Sequence, residues 1–517
     1  MKSIEISLVL FINFSLILGA NILVLEGLPS PSHHVLFRVV NEALAARGHN
    51  VTSISADIDE NVSQNLTYLH LDRVYEHLYD SDDMNFVDIG KVNPWITLGI
   101  LNHYILKAFT GLQKSSGYHQ LLAYPDDFKV DLIIYDFIAT PMLLGFKHKF
   151  GNPPLIGLTG YNAISTTSAI IGSPYHSAFV PHHCRLDTGN SFLKRVENYL
   201  LHWADHASRK YIILPKLYSA LKKDLPNLPP LAQLEETARL ALINYNPVFE
   251  PSEPMLPGVI GVAGLQIKDP KPLPPDIEEI ASKGAFIFFS LGTNAQPEML
   301  GDARLKHIIE TMRELKQFMF FWKAKGRLPI DTPPNLVMRS WFPQSDLLAH
   351  PNARLFISHC GLLSTYEATW RGVPILAVPI FLDQFMNAEN SVKAGMALEY
   401  DIRNVTKNTF KAIILEMISN PKYKENTLVR SKLFRDQPEM PLDRALWWIE
   451  YVIRNPKENI FKSEAIQLNI FQKHDVDVLI FIFVIFLIIL YIKLKIIAAI
   501  LRGICKSLQK TQKNKKD

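Results

Sequence analysis

Cysteine is scarce in this chain: three residues in 517, at positions 184, 360 and 505. So few thiols cannot build a disulfide framework. With Cys505 in the carboxyl tail, only Cys184 and Cys360 could pair within the chain, and no disulfide is expected. No metal-ligand spacing stands out either. Charged residues make up 20% against 48% apolar, which excludes the disordered classes. There is no internal repeat beyond a weak similarity of plan between the two halves, so a repeat array is excluded. The formal charge is only +4. Eight Lys and Arg lie from Lys493 onward against one acidic residue, Asp517, so the remainder is slightly acidic. That distribution speaks for a tail facing a membrane surface and against nucleic acid. What is present in quantity is length, enough for two or more domains with their own cores.

Both ends carry apolar runs. "MKSIEISLVLFINFSLILGA" has a thin positive start at Lys2, an apolar Leu8–Leu18 stretch and a small-residue exit at Gly19-Ala20. It reads as a secretory signal over residues 1–20. "VLIFIFVIFLIILYI", 478–492, reads with its flanks as a transmembrane helix over 476–494. The positive-inside bias places the tail, 495–517, in the cytoplasm and the body in the lumen. Lys513 and Lys515, five and three residues from the end, resemble a dibasic endoplasmic-reticulum retrieval signal. Four sequons, at Asn50, Asn61, Asn65 and Asn404, fit a luminal body. The stretch 456–475 before the span mixes apolar and charged residues, as a segment grazing a membrane would.

Between these ends the chain alternates strands and helices in two rounds. "NILVLEG" is a strand, "SPSHH" a loop, Val35 to Arg47 a helix and "VTSISA" the next strand. This is the opening of a doubly wound parallel sheet. "DLIIYD" and "PPLIGLTG" add strands, whereas 161–240 shows no clean strand rhythm. The Pro-rich "KDPKPLPPDIEEI" divides the chain, and alternation restarts with "AFIFFS", "FMFFW", "NLVM", "RLFIS" and "PILAVP". The division gives a first domain over 21–265 and a second over 266–455. The expected architecture is two such sheets facing a cleft, with ligands beyond the carboxyl ends of the strands.

The loops at those ends carry chemistry. "SHCGLLS" ends a strand and opens a helix, whose free N–H groups suit an anion. His359, Gly361, Ser364 and Thr293 would complete a phosphate cradle, and Glu367 could accept two ribose hydroxyls. Trp341 offers a stacking surface and Gln344 an amide for a nucleobase. Asp383 and Gln384 suit sugar hydroxyls. In the first half, a histidine backed by the carboxylate of Asp136 could remove a proton from a hydroxyl. Spacing alone does not choose between His33 and His34.

In this order and spacing, the segment from Trp341 to Asn387 resembles the signature of the UDP-glycosyltransferases, membrane-bound animal type and most like the insect branch. "SPSHH", "LAARGHNVT", "SLGTN" and "FRDQPEMPLDRALWWIEYVIR" extend the likeness over nearly the whole chain. The resemblance implies a GT-B fold, two Rossmann-like domains with acceptor in the first and UDP-sugar in the second, plus a carboxyl-terminal transmembrane helix. It implies that Trp341 stacks on uracil, Gln344 bonds it and Glu367 holds ribose. Thr293, His359, Gly361 and Ser364 would hold the diphosphate, and Asp383 and Gln384 the sugar. It aligns His33 with the base and Asp136 with its partner. Where the family has His-Gly-Gly, this chain has His359-Cys360-Gly361.

The implied reaction is inverting transfer of a hexose, glucose before glucuronic acid, to a small lipophilic hydroxyl, as in detoxification or in hormone and pigment conjugation. No metal and no cofactor beyond the UDP-sugar co-substrate is expected. The implied setting is a single-pass type I protein of the endoplasmic reticulum membrane, compatible with a homo-oligomer. The rival reading is a non-catalytic UDP-sugar-binding protein, which loss of the His/Asp pair would have suggested.

Overall fold

The computed structural model describes residues 19–78, 91–138, 141–162, 165–173, 175–292, 296–326 and 328–513. The expected signal peptide lies almost wholly outside them, as does Thr293.

Seven strands form the first sheet: β1 (Asn21–Leu25), β2 (Asn50–Ser55), β3 (Leu66–His70), β4 (Leu132–Asp136), β5 (Leu155–Leu158), β6 (Ala238–Ile243) and β7 (Val259–Gly261). Their order is β3-β2-β1-β4-β5-β6-β7, and every pairing is parallel. Six more form the second: β8 (Phe286–Ser290), β9 (Met319–Lys323), β10 (Leu336–Arg339), β11 (Ala353–Ser358), β12 (Ile375–Ala377) and β13 (Ala397–Glu399). They run β10-β9-β8-β11-β12-β13, again all parallel. Parallel strands covered on both faces need apolar residues throughout, which is why "LIIYD" and "FIFFS" are buried at every position. Phe286, Phe288 and Phe289 are each fully buried, worth roughly 1.5–3 kcal/mol apiece.

Strand order reverses between β1 and β4 in one sheet and between β8 and β11 in the other. Loops leaving the carboxyl ends of such neighbours diverge to opposite faces and open a crevice. The sequence at each crevice is distinctive: His33 and Asp136 at the first, Gly292 and His359 at the second.

Three features differ from the sequence reading. The segment "SPSHH" is the start of a helix, Pro31–Ala46, because Pro31 sits at its first position with φ already set. The strands β3, β6, β7 and β13 were not anticipated; β3 follows a polar stretch and β7 and β13 have three residues each. The helix Pro441–Arg454, expected with the second half, packs on the first sheet. Its Ala445, Leu446, Ile449 and Val452 share a core with Ile22, Val24, Leu36 and Val40, and Glu450 Oε1 receives Arg47 Nη1 at 3.0 Å. Its amphipathic stripe finds its apolar partner there.

Residues Ser463–Asp517 form a separate unit. Its main element is the helix Val476–Lys513, which runs unbroken past the expected end of the span at 494. Over Val476–Leu508 it is long and apolar enough to cross a membrane by length and composition.

Candidate active site

The first crevice holds two adjacent histidines in different surroundings. His33 Nδ1 lies 3.2 Å from Asp136 Oδ2. Asp136 Oδ1 accepts the Ile138 N–H at 3.2 Å, which fixes the carboxylate plane. His33 is 7% exposed and Asp136 2%. The ring also faces Tyr161, centroids 5.3 Å apart, and Gly160, where an added Cβ would stand 3.5 Å from Cε1. His34, one residue on, turns the other way. Its Nδ1 meets Glu26 Oε2 at 2.9 Å and its Nε2 meets Asp59 Oδ2 at 3.2 Å. Burial alone would lower its pKa, but the Glu26 and Asp59 carboxylates keep it raised. Glu26 also accepts from Asn41, Ser53 and Ser55. His34 is thus tied at both nitrogens, whereas Asp136 contacts His33 alone of the two.

The second crevice is built around His359. Its ring packs between Gly292 and Gly361, where an added Cβ would come within 2.7 Å and 2.6 Å of Nε2. Gly292 also has φ +84°, so the tight approach and the left-handed turn both require glycine. Burial, with Lys323 nearby, pulls the imidazole down to about 4, so it is a neutral hydrogen-bonding group. The helix Leu362–Trp370 begins just beyond, and its first N–H groups have no partners within the helix.

Cys360 lies between them at φ +63°, a conformation that favours glycine. Its N–H donates to Ser358 Oγ at 3.1 Å, and its side chain is fully buried among Phe288, Phe342 and Phe356. The sulfur therefore fills core and stays out of the cleft, and burial raises the thiol's pKa so that it remains protonated. Cys360→Gly relieves roughly 1 kcal/mol of backbone strain and forfeits a similar packing gain, about 1 kcal/mol. Thermal melting and donor KM should therefore stay close to the parent's. A collapse of turnover would reveal a thiol function this geometry gives no reason for.

Trp341 follows β10 and is 58% exposed, an open flat face with Lys323 Nζ 4.6 Å from its centroid. Gln344 opens the helix Gln344–Ala349, and its Nε2 donates to Ser364 Oγ at 3.0 Å and Glu367 Oε2 at 2.7 Å. Burial lifts the Glu367 carboxyl to about 7 against the pull of Gln344, Arg371 and Lys323. Asp383 is raised to about 6 by burial, opposed by hydrogen bonds from Asn387, at 2.7 Å, and from the Tyr161 hydroxyl. Gln384 is less free than expected, because its Oε1 already accepts from the Ile380 and Phe381 N–H groups at 2.9 and 3.2 Å.

His33, Trp341, Gln344, His359, Gly361, Ser364, Glu367, Asp383 and Gln384 all line one cleft of about 690 Å³, with Asp136 directly behind His33. Three of its contributors were not read from sequence. Tyr161 bridges the two halves between His33 and Asp383, Lys323 covers Trp341, and Asn387 ties Asp383 to the Cys360 carbonyl. Each is an ordinary-looking residue in its own stretch; the approach of the two halves reveals Tyr161, and packing within the second half reveals Lys323 and Asn387.

Two Rossmann-type sheets with a ligand-sized crevice between their switch points define the GT-B fold. Solved structures bear this out: the calicheamicin glycosyltransferase CalG4 aligns with TM-score 0.55 at 17% identity, covering 84% of this chain and 99% of that one. The spinosyn forosaminyltransferase SpnP aligns at 0.54 and 14%, over the same shares. The chain belongs to the UDP-glycosyltransferase family, since the profile described as "UDP-glucoronosyl and UDP-glucosyl transferase" matches residues 22–512. It is 31% identical to UDP-glycosyltransferase UGT4 of Dactylopius coccus, over 94% of this chain and 96% of that protein. It is 29% identical to UDP-glucuronosyltransferase 2C1 of Oryctolagus cuniculus, over 92% and 97%. It is accordingly an enzyme that transfers sugar from a UDP-sugar to an acceptor.

Proposed function

We propose that the sugar is a hexose, glucose in the first place, delivered with inversion to the hydroxyl of a small lipophilic acceptor. The observation that carries the reading is the buried His33–Asp136 pair facing Asp383 across the cleft. His33 takes the acceptor proton as its oxygen attacks the anomeric carbon, and Asp136 stabilises the resulting imidazolium. UDP departs on the opposite side, its charge met by the first turn of the helix Leu362–Trp370, His359 and Ser364. Thr293, outside the described residues, is assigned to the same cradle. Trp341 stacks on the base beside Gln344, Glu367 holds the ribose, and Asp383 with Gln384 receives the sugar. The acceptor wall contains Leu98, Leu101, Ile105 and Ile213, which favours an apolar body on the acceptor. Glucose follows the insect-branch vocabulary; a Dactylopius coccus relative, 27% identical over 96% of both chains, bears the name UDP-glucosyltransferase 2. The test is a panel of UDP-glucose, UDP-glucuronic acid and UDP-galactose with a phenolic acceptor, read by conjugate mass and anomeric configuration. A glucuronide as the dominant product overturns the sugar assignment, and an α-glycoside overturns inversion.

The Glu367 assignment has its own readout. A carboxylate accepts from two ribose hydroxyls, whereas its protonated form does so poorly. With the group lifted to about 7 in the free enzyme, donor affinity should rise as pH increases through neutrality. Glu367→Ala should weaken donor binding by about 1–3 kcal/mol and remove that pH dependence, as isothermal titration with UDP would show. If acceptor affinity falls while donor affinity holds, the halves have been assigned the wrong way round.

We place the enzyme in the endoplasmic reticulum membrane as a single-pass type I protein with a luminal body, on the helix Val476–Lys513 and the basic residues at its end. Protease added to sealed microsomes should then remove only about 20–25 residues, the length beyond a bilayer span. Digestion of the body would reverse the orientation.

A further inference from the structure

On the acceptor side of the cleft, His182, His183 and Cys184 stand in a row, their ligand atoms within 4.8 Å of one another. The helix Phe192–Ser208 presses Asn198, His202 and Asp205 toward them from one face, at i, i+4 and i+7. Asn198 anchors the segment. Its Oδ1 accepts the His182 N–H at 2.7 Å, and its Nδ2 donates to the Ser177 and Val180 carbonyls, each at 2.7 Å. His182 Nε2 lies 3.3 Å from Asp205 Oδ2, and its ring centroid is 4.1 Å from that of His183 and 4.4 Å from that of His202.

The nitrogen inventory of this knot is incomplete. His202 is only 8% exposed, yet neither ring nitrogen has a hydrogen-bond partner among the described residues. Nδ1 of His183 is buried and unpartnered as well. Buried polar atoms are nearly always satisfied, because nothing else offsets their lost hydration. Unpartnered imidazole nitrogens beside a buried thiol and a carboxylate-backed histidine are the donor set of a borderline-soft transition ion.

We propose that His182, His183, Cys184 and His202 bind one such ion, Zn²⁺ fitting the set, with Asp205 orienting His182 from behind. Asp205 accepts Nε2–H and leaves the lone pair on Nδ1, which exchanges its present 3.2 Å bond from the Cys184 N–H for the metal. Zinc bonds of roughly 2.0–2.3 Å place tetrahedral ligands about 3.5 Å apart, so the three adjacent side chains draw in by about 1 Å. His202 stands outside their 4.8 Å group with its ring against that of Tyr175, centroids 3.3 Å apart, and reaches the fourth position through one of its two unpartnered ring nitrogens by a shift of the helix segment that carries it. A cysteine thiol is ordinarily protonated at neutral pH, and only its thiolate ligates a metal. Binding therefore forms one Zn–S bond and releases the Cys184 proton to solvent. His183 and Asp205 line the cleft, which gives the ion an entry path. Once bound, it staples the segment to the helix and stiffens the acceptor wall.

The test uses the full chain in detergent, stripped with a chelator and titrated with ZnCl₂. One equivalent of zinc should survive desalting, one proton should be released per ion, and the melting temperature should rise. Cobalt in place of zinc should give a thiolate-to-cobalt charge-transfer band. Cys184→Ser should abolish that band, and His202→Ala should weaken zinc binding by about tenfold or more, both with UDP binding unchanged as the check on folding. Acceptor KM should fall on zinc addition while donor KM stays fixed. Substoichiometric zinc in the parent, or a Cys184→Ser protein that holds zinc as tightly, overturns the proposal. Should both variants fail to fold, the parent's cobalt spectrum decides alone, and absence of the charge-transfer band overturns it.

Discussion

His33→Ala should lower turnover by roughly 10²–10⁴, the usual contribution of a positioned general base, while UDP-sugar affinity barely moves. The reason for the split is spatial. His33 belongs to the first sheet's crevice and touches Asp136, Tyr161 and Gly160. Trp341, Gln344, Ser364 and Glu367 come from a loop and two helices that follow strands of the second sheet, and make their contacts among themselves and with Lys323. Removing one imidazole leaves that set intact. His34→Ala is the control, and its expected cost is of another kind. It deprives buried Glu26 of its 2.9 Å partner, a loss of about 3 kcal/mol in stability for a broken buried pair, with only a modest change in turnover per folded molecule. The comparison needs thermal melts alongside initial rates. If folded His34→Ala is dead and His33→Ala is active, the two roles are reversed. If both remain active, transfer does not depend on either histidine and the general base lies elsewhere in the cleft.

The two sheets were legible in sequence because strands buried on both faces must be apolar at every position. Runs such as "LIIYD" and "FIFFS" have few other structural uses. Legibility failed where a local rule was overridden by tertiary context. β3 and β13 are short and partly polar, and they persist because β2 and β12 supply their ladder bonds. "SPSHH" looked like loop from its polar composition, although Pro31 at a helix start was available as a signal. The placement of the helix Pro441–Arg454 depends on which apolar surface lacks a cover, a property of the assembled sheet and not of the segment.

The site divides along the same line. His359 and the glycine-bearing turns were readable because a strand end followed by a helix start is an anion-binding device wherever it occurs. The choice between His33 and His34 was not, since adjacent helical residues point about 100° apart and only the surroundings tell which faces the cleft. The buried pairs at 3.2 Å to Asp136 and 2.9 Å to Glu26 separate their surroundings, and the two alanine variants test which is the base. The His182-His183-Cys184 row was overlooked because three adjacent ligands match no common metal spacing, and their fourth partner lies a helix away.

Asp136→Asn should cost nearly as much as losing His33 itself, a fall in turnover of roughly 10²–10⁴, although it changes no atom that meets the substrate. The present carboxylate accepts Ile138 N–H through Oδ1 and faces His33 Nδ1 through Oδ2. An asparagine that keeps its oxygen on Ile138 must present its NH₂ to Nδ1. That forces Nδ1 to accept and moves the imidazole proton to Nε2, the nitrogen that has to be bare to take the acceptor's proton. Flipping the amide would restore the tautomer but leave the Ile138 N–H facing a second donor, and it would still lack the charge that stabilises the imidazolium. Since Asp136 is only 2% exposed, water cannot replace that charge. Because the two residues act as one unit, the double variant should be little slower than His33→Ala alone. Donor affinity should be unchanged in all three, measured by UDP titration. Turnover of Asp136→Asn within threefold of the parent, or losses that multiply in the double variant, would show that Asp136 holds the fold and not the proton.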